Sequence, residues 1–160
     1  AWLLGDSGYK ILRDDYHSGS FRYAYFSGPI DWDVFLAKYG QTTLQFSCLP
    51  WTYLDVGQTV ETFTSSDTIY NPEAFNSKPL IRVYGYGTLL VGTGAITIAD
   101  DGQTYIDIDC ETMNAYEGST NRNSSVTIAN WPELAPGNNG VGWVGNTITQ
   151  VDITPRWRRI

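Results

Sequence analysis

Phe75-Asn-Ser-Lys-Pro-Leu-Ile-Arg-Val-Tyr-Gly-Tyr-Gly87 opens a run of short β-strands that closes on Ile148-Thr-Gln-Val-Asp-Ile-Thr-Pro-Arg-Trp-Arg158. Leu80–Tyr84 is entered from Pro79 and left at Gly85, residues that interrupt a sheet ladder. In the closing stretch Val151, Ile153 and Trp157 alternate with Gln150, Asp152, Thr154, Arg156 and Arg158. A period of two puts the first set on a covered face and the second on an outer one. Thr88–Val91 and Ala95–Ala99 flank Gly92-Thr-Gly94, a hairpin signal. Asp100-Asp-Gly102 reads as a second hairpin turn, leading into a strand over 103–110. Val126–Ala129 and Gly142–Val144 are shorter strands. Residues 114–124 read as a polar loop, and Pro132, Pro136 and Gly137-Asn-Asn-Gly140 as a long turn. Such short strands at regular spacing predict an antiparallel β-sandwich. Its inward residues should be Val83, Ile96, Ile106, Ile108, Val151, Ile153 and Trp157.

Upstream the pattern changes. Arg13-Asp-Asp-Tyr-His-Ser-Gly19 is turn chemistry, because Asp and Ser bond locally and Gly tolerates unusual backbone angles. Phe21–Ser27 reads as a strand. Asp31 can cap a helix, with Asp33 in its first turn, and Trp32, Phe35, Leu36 and Tyr39 form one apolar stripe ending at Gly40. Thr42–Leu49 is a strand with Leu44, Phe46 and Cys48 inward, broken by Pro50-Trp-Thr-Tyr53. Residues 55–79 are polar and punctuated by Gly, Ser and Pro, so the domain boundary is expected near residue 63, dividing 1–62 from 63–160.

Apolar residues make up 42 % of the 160, enough for a core, and only 17 % are charged, so composition excludes a disordered chain. The net charge of −7 disfavours a nucleic-acid backbone as partner. No run approaches the roughly 18 apolar residues of a membrane span. Ala1-Trp-Leu-Leu is too short for a signal-peptide core, and a chain starting at Ala1 reads as a fragment or a processed product. Cys48 and Cys110 could arithmetically pair. Each lies on the apolar face of an alternating strand, however, so both are expected to be buried free thiols, as suits a reducing compartment.

Candidate chemistry is sparse. His17 is the only histidine, sits in a turn, and has no Gly-x-Ser-x-Gly elbow to partner it. Asp107 and Asp109 leave the same strand face near Glu111, but the order lacks the glycine and distal glutamate of an EF-hand. They read as a solvated outer face. Asp31 and Asp33 are explained by a helix start rather than by paired-carboxylate glycoside hydrolysis. Trp131-Pro-Glu133 and Trp143 could stack on sugars, but packing is the plainer role. Arg156, Arg158 and Arg159 form a small basic terminus. Asn123-Ser-Ser125 matches a glycosylation sequon, which carries no weight without a secretory signal. No catalytic, cofactor-binding or metal-ligating residue is assigned, and no cofactor is expected.

Five segments in order resemble motifs of the distal tail protein (Dit) family of long-tailed bacteriophages. They are Trp2-Leu-Leu-Gly-Asp-Ser-Gly-Tyr-Lys-Ile-Leu-Arg-Asp-Asp15, Phe46-Ser-Cys-Leu-Pro-Trp-Thr-Tyr53, Ser77-Lys-Pro-Leu-Ile-Arg-Val-Tyr-Gly85, Trp131-Pro-Glu-Leu-Ala-Pro-Gly-Asn-Asn139 and Ile153-Thr-Pro-Arg-Trp-Arg158. The resemblance implies a mainly β chain: a galectin-like antiparallel sandwich preceded by a partial β-rich ring domain with one short helix. The family's ring domain begins before Trp2, so its first strands are expected upstream. The implied function is a non-enzymatic hub at the distal end of the tail tube, assembled in the bacterial host cytoplasm and carried in the virion or encoded by a prophage. Its implied partners are copies of itself in a hexameric ring, the tail tube protein, and tail-tip and receptor-binding proteins, with neither nucleic acid nor membrane. The alternative is a carbohydrate-binding module aiding adsorption to the host surface. Galectins read galactose with His-x-Asn-Pro-Arg and Trp-x-x-Glu-x-Arg patterns. Asn71-Pro72 here lacks the His and the Arg, and Trp131-Pro-Glu133 differs in spacing and lacks the Arg.

Overall fold

The computed structural model describes residues 8–28, 44–145 and 147–160. The chain divides into two compact units, one holding residues 1–52 with Ile160 and the other Tyr53–Arg159. In the first, β1 (Lys10–Leu12), β2 (Ser20–Phe26) and β3 (Phe46–Leu54) lie in that order. β1 and β2 are antiparallel, with Ile11 opposite Tyr23. The turn between them is built by Asp14, whose Oδ1 accepts the N–H groups of Tyr16 (3.0 Å) and His17 (2.8 Å). Phe21 and Ala24 are buried. The helix expected from Asp31 to Gly40, with its cap and apolar stripe, lies outside the described residues.

The second unit is an antiparallel sandwich. Its strands are β4 (Glu61–Phe63), β5 (Asp67–Asn71), β6 (Leu80–Tyr84), β7 (Gly87–Val91), β8 (Gly94–Ile98) and β9 (Ile106–Asp109), followed by β10 (Asn114–Glu117), β11 (Thr120–Asn121), β12 (Val126–Asn130), β13 (Gly137–Val144) and β14 (Gln150–Thr154); the short β15 (Arg158–Arg159) belongs to neither of its two sheets. One sheet has the order β11-β10-β9-β6-β14-β4 and the other β12-β8-β7-β13-β5. Between them lies one apolar cluster. The first sheet gives it Ile81, Val83, Ile106, Ile108, Val151 and Ile153, and the second Ile69, Leu89, Val91, Ile96, Ile98 and Val141. All seven residues read as inward from the sequence are buried, six of them at 0 % exposure and Trp157 at 4 %. Branched side chains on alternate positions stabilise such a core by roughly 1.5–3 kcal/mol each when fully covered. No helix among the described residues is long and apolar enough to cross a membrane.

Several local expectations are corrected. β3 runs through Pro50-Trp-Thr-Tyr53. A proline removes only its own N–H, and a strand continues where that position needs no donor. Cys48 is exposed, whereas Cys110 is buried, and both are free. Alternation separates two faces without saying which face is covered. Burial pushes the Cys110 thiol up to about 12. Asp100-Asp-Gly102 is not a hairpin turn, because β8 and β9 belong to different sheets. A turn signal reverses the chain but does not pair the strands it joins. Residues 114–124 contain the β10–β11 hairpin, with Tyr116 opposite Asn121. Gly137-Asn-Asn-Gly140 begins β13, where Asn139 satisfies itself by accepting the Ala135 N–H and donating to the Ala135 and Gly137 carbonyls. The closing strand is split at Pro155. Arg156 takes a positive φ of 57°, and the alternation beyond it restarts with both Trp157 and Arg158 buried.

Candidate functional site

The outer face of the six-stranded sheet carries a polar row. Tyr116, Asp107, Arg82, Asp152 and Thr62 stand opposite one another across β10, β9, β6, β14 and β4. They alternate with the core residues of the same strands, so they share the face away from the core. Arg82 donates from Nε to Asp107 Oδ1 at 2.7 Å and from Nη2 to Oδ2 at 2.9 Å, and its guanidinium lies 4.3 Å over the Tyr105 ring. The paired carboxylate raises the Arg82 pKa still further. Asp152 Oδ1 accepts from Thr62 Oγ1 and Gln150 Nε2, each at 2.8 Å.

One step along the strands lies a second ionic group. Arg156 grips Asp109 through Nη1 (2.7 Å) and Nη2 (3.2 Å), while the N–H groups of Glu111 and Thr112 donate to Asp109 Oδ1. Burial, the largest single influence, pushes the Asp109 pKa up. The Arg156 contacts and the two backbone donors together outweigh it and hold the carboxyl below its usual value. Tyr53 Oη donates to Glu111 Oε1 at 2.7 Å, with Arg158 Nη1 3.9 Å from the same oxygen. Burial, then the Glu111 carboxylate, pushes the Tyr53 phenol up.

Asp107 and Asp109 are therefore not a solvated face. They lie on the outer side as the alternation required, yet are only 5 % and 8 % exposed, because Arg82 and Arg156 fold over them. Arg156 and Arg158 likewise do not point into solvent as a basic terminus; Arg159 is exposed. Guanidinium–carboxylate forks are strong and geometrically specific, so these pairs fix the side chains of the face. Nothing in the local sequence marks these pairs, since Arg82 and Asp107 meet only through strand register.

The other residues weighed from the sequence stand apart from one another. His17 is exposed in its turn, its Nδ1 2.8 Å from Asp14 Oδ1, a bond that holds the Asp14 carboxyl below its usual value. Trp131 and Trp143 are half-buried against the core cluster. Asn71 is buried, donating to the Phe75 and Leu134 carbonyls. Asn123 accepts the Ala115 N–H and donates to Asn114. Asp31 and Asp33 fall outside the described residues. Among the described residues no cluster of His, Cys, Asp and Glu could hold a metal ion.

Three of the sequence motifs meet in space. Ser77 and Leu134 exchange backbone hydrogen bonds at 3.0 Å in both directions, and Asn76 Nδ2 reaches Glu133 Oε2 at 2.9 Å. Arg158 Nε donates to the Asn76 carbonyl at 2.8 Å. Asn76 itself lies just before the Ser77–Gly85 motif, which meets the closing motif directly through Ile81 opposite Ile153.

No protein-family model matches the chain, and no curated protein matches it. Among solved structures it is similar to that of SPP1 Dit (gp 19.1), described as a paradigm of the hub adsorption apparatus in phages infecting Gram-positive bacteria. The TM-score is 0.65 at 13 % identity, over 99 % of this chain and 68 % of that one. Likeness at that identity is one of fold, and the fold of this chain is Dit-like: mainly β, with antiparallel sheets packed as a sandwich.

Proposed function

We propose that the chain is a structural component of a phage tail, part of a hub at the distal end of the tail tube. What supports the reading above all is the fold shared with a tail hub protein over 99 % of the chain. The motif order adds to it, because three of those motifs converge at one place in the sandwich. In this reading residues 1–62 contribute to a hexameric ring and residues 63–160 form a galectin-like domain. The protein works without catalysis. Identical copies in a closed ring present repeated surfaces to the tube on one side and to tail-tip and receptor-binding proteins on the other. Many weak contacts then act as one strong one. Assembly takes place in the host cytoplasm and the product travels in the virion.

Immunogold labelling of tailed particles with antibodies against the sandwich tests this. Gold is expected at one locus, the end of the tail distal to the head. Label along the tube, on the head, or absent from intact and disrupted particles overturns the reading.

A further inference from the structure

On the outer face of the six-stranded sheet, Val60, Leu80, Arg82, Asp107, Asp152 and Thr154 line a cavity of ≈ 200 Å³. Pockets that take small molecules whole run from about 300 to 1,000 Å³, so this one is sized for a single side chain. We propose that it is a socket for a lysine or arginine side chain of a partner protein, with Asp152 as the ion-pair acceptor.

The charges decide the sign of the occupant. Arg82 and Asp107 neutralise each other through two hydrogen bonds. Asp152 is held by Thr62 and Gln150, which are neutral donors, both on Oδ1. Among the described residues it makes no ion pair within 4 Å. The cavity therefore keeps one uncompensated negative charge, fixed in place by its own supports. An anionic ligand would face two carboxylates and find the Arg82 fork already occupied. A sugar ring would find no aromatic platform, since the lining holds none and Tyr105 is covered by Arg82. A basic side chain fits on each count. Val60 and Leu80 offer aliphatic walls to its methylene stem, Asp152 takes its charge, and the Thr154 hydroxyl can accept a further N–H. The net charge of −7 draws a basic partner toward the protein before contact. The socket is a property of the cavity, whatever place the chain takes in a tail.

The test is an amide NMR titration of the 160-residue protein with capped tripeptides whose central residue is lysine, arginine or citrulline. The lysine and arginine peptides are expected to move the amides of Leu80, Asp152 and Thr154 at millimolar concentration. The neutral citrulline peptide should leave them in place. D152N should weaken the response about fivefold or more while keeping the rest of the spectrum, whereas D67N, at a distant exposed acid, should not. V60K, which supplies the cavity with its own ammonium, is expected to abolish the response with Asp152 intact. Equal shifts from citrulline, equal weakening by D67N, or no shift with any peptide overturns the proposal. So does a neutral pyranose that moves the same amides in D152N, which would make the cavity a sugar site. None of these outcomes depends on where gold labels a tail.

Discussion

Arg156 ties the 3-10 turn and β9 to the closing segment of the sandwich. Its backbone sits at φ 57°, its N–H donates to the Gly57 carbonyl at 2.7 Å, and its guanidinium forks onto Asp109. A non-glycine residue in that backbone region costs on the order of 1 kcal/mol, which the two sets of bonds must offset. Arg156→Ala leaves a largely buried carboxylate without its cation and should cost about 3 kcal/mol in urea denaturation. Arg156→Gly removes the same ion pair but relieves the backbone, so it should cost about 1 kcal/mol less. Equal losses in the two variants would show that the left-handed conformation carries no strain. Residues like Val151 and Ile153 were legible in the sequence because their burial follows from alternation alone. The partners of Asp107 and Asp109 were not legible, because Arg82 lies 25 residues and Arg156 47 residues away in sequence from the carboxylates they cover. Cys48 was misread for a different reason: local alternation does not know which side of a sheet is covered.

At the scale of elements, short-range turn chemistry was the most legible feature when the turn was tight. Gly92 and Thr93 join β7 to β8, with Val91 opposite Gly94. Gly92 has φ 53°, and a Cβ there would meet the Glu133 carbonyl at 2.2 Å, so the hairpin needs its glycine twice over. Looser junctions were misread, as at Asp100-Asp-Gly102, because the loop crosses from one sheet to the other. Strand ends fixed by distant contacts were also hidden. Val56–Gln58 forms a short 3-10 turn under Trp157, and a Cβ on Gly57 would lie 2.4 Å from the Trp157 nitrogen and 2.9 Å from its Cβ. Both obstacles belong to the backbone or its first carbon and cannot swing away. Gly57→Ala should therefore destabilise the protein by roughly 2–3 kcal/mol, read as a lowered thermal midpoint. An unchanged midpoint would mean that the turn and the Pro155–Trp157 segment separate freely.

For the whole molecule Asp109 offers one handle on how the fold responds to acid. The Asp109 carboxyl titrates below its unfolded value of about 3.9. A depressed folded pKa contributes stability that is present above the unfolded pKa and lost as pH falls through the folded one. The difference in unfolding free energy between wild type and D109N should thus be constant from neutral pH down to about 4 and shrink below it. A difference that stays constant through pH 2–3 would assign the acid sensitivity to other carboxylates. The architecture at this scale, two antiparallel sheets around one core, was readable from strand spacing. The two sheets' membership was not, since it depends on strands that pair far apart in the chain, as Glu61 does with Ile153.

The Leu54 N–H donates to the Trp157 carbonyl at 3.0 Å, so the sandwich unit Tyr53–Arg159 starts and finishes at neighbouring points. A segment whose two ends already touch makes no demand on the spacing of whatever carries it. Recombination can cut at that pair of strands and join a different sandwich, longer or shorter, without moving the flanking chain.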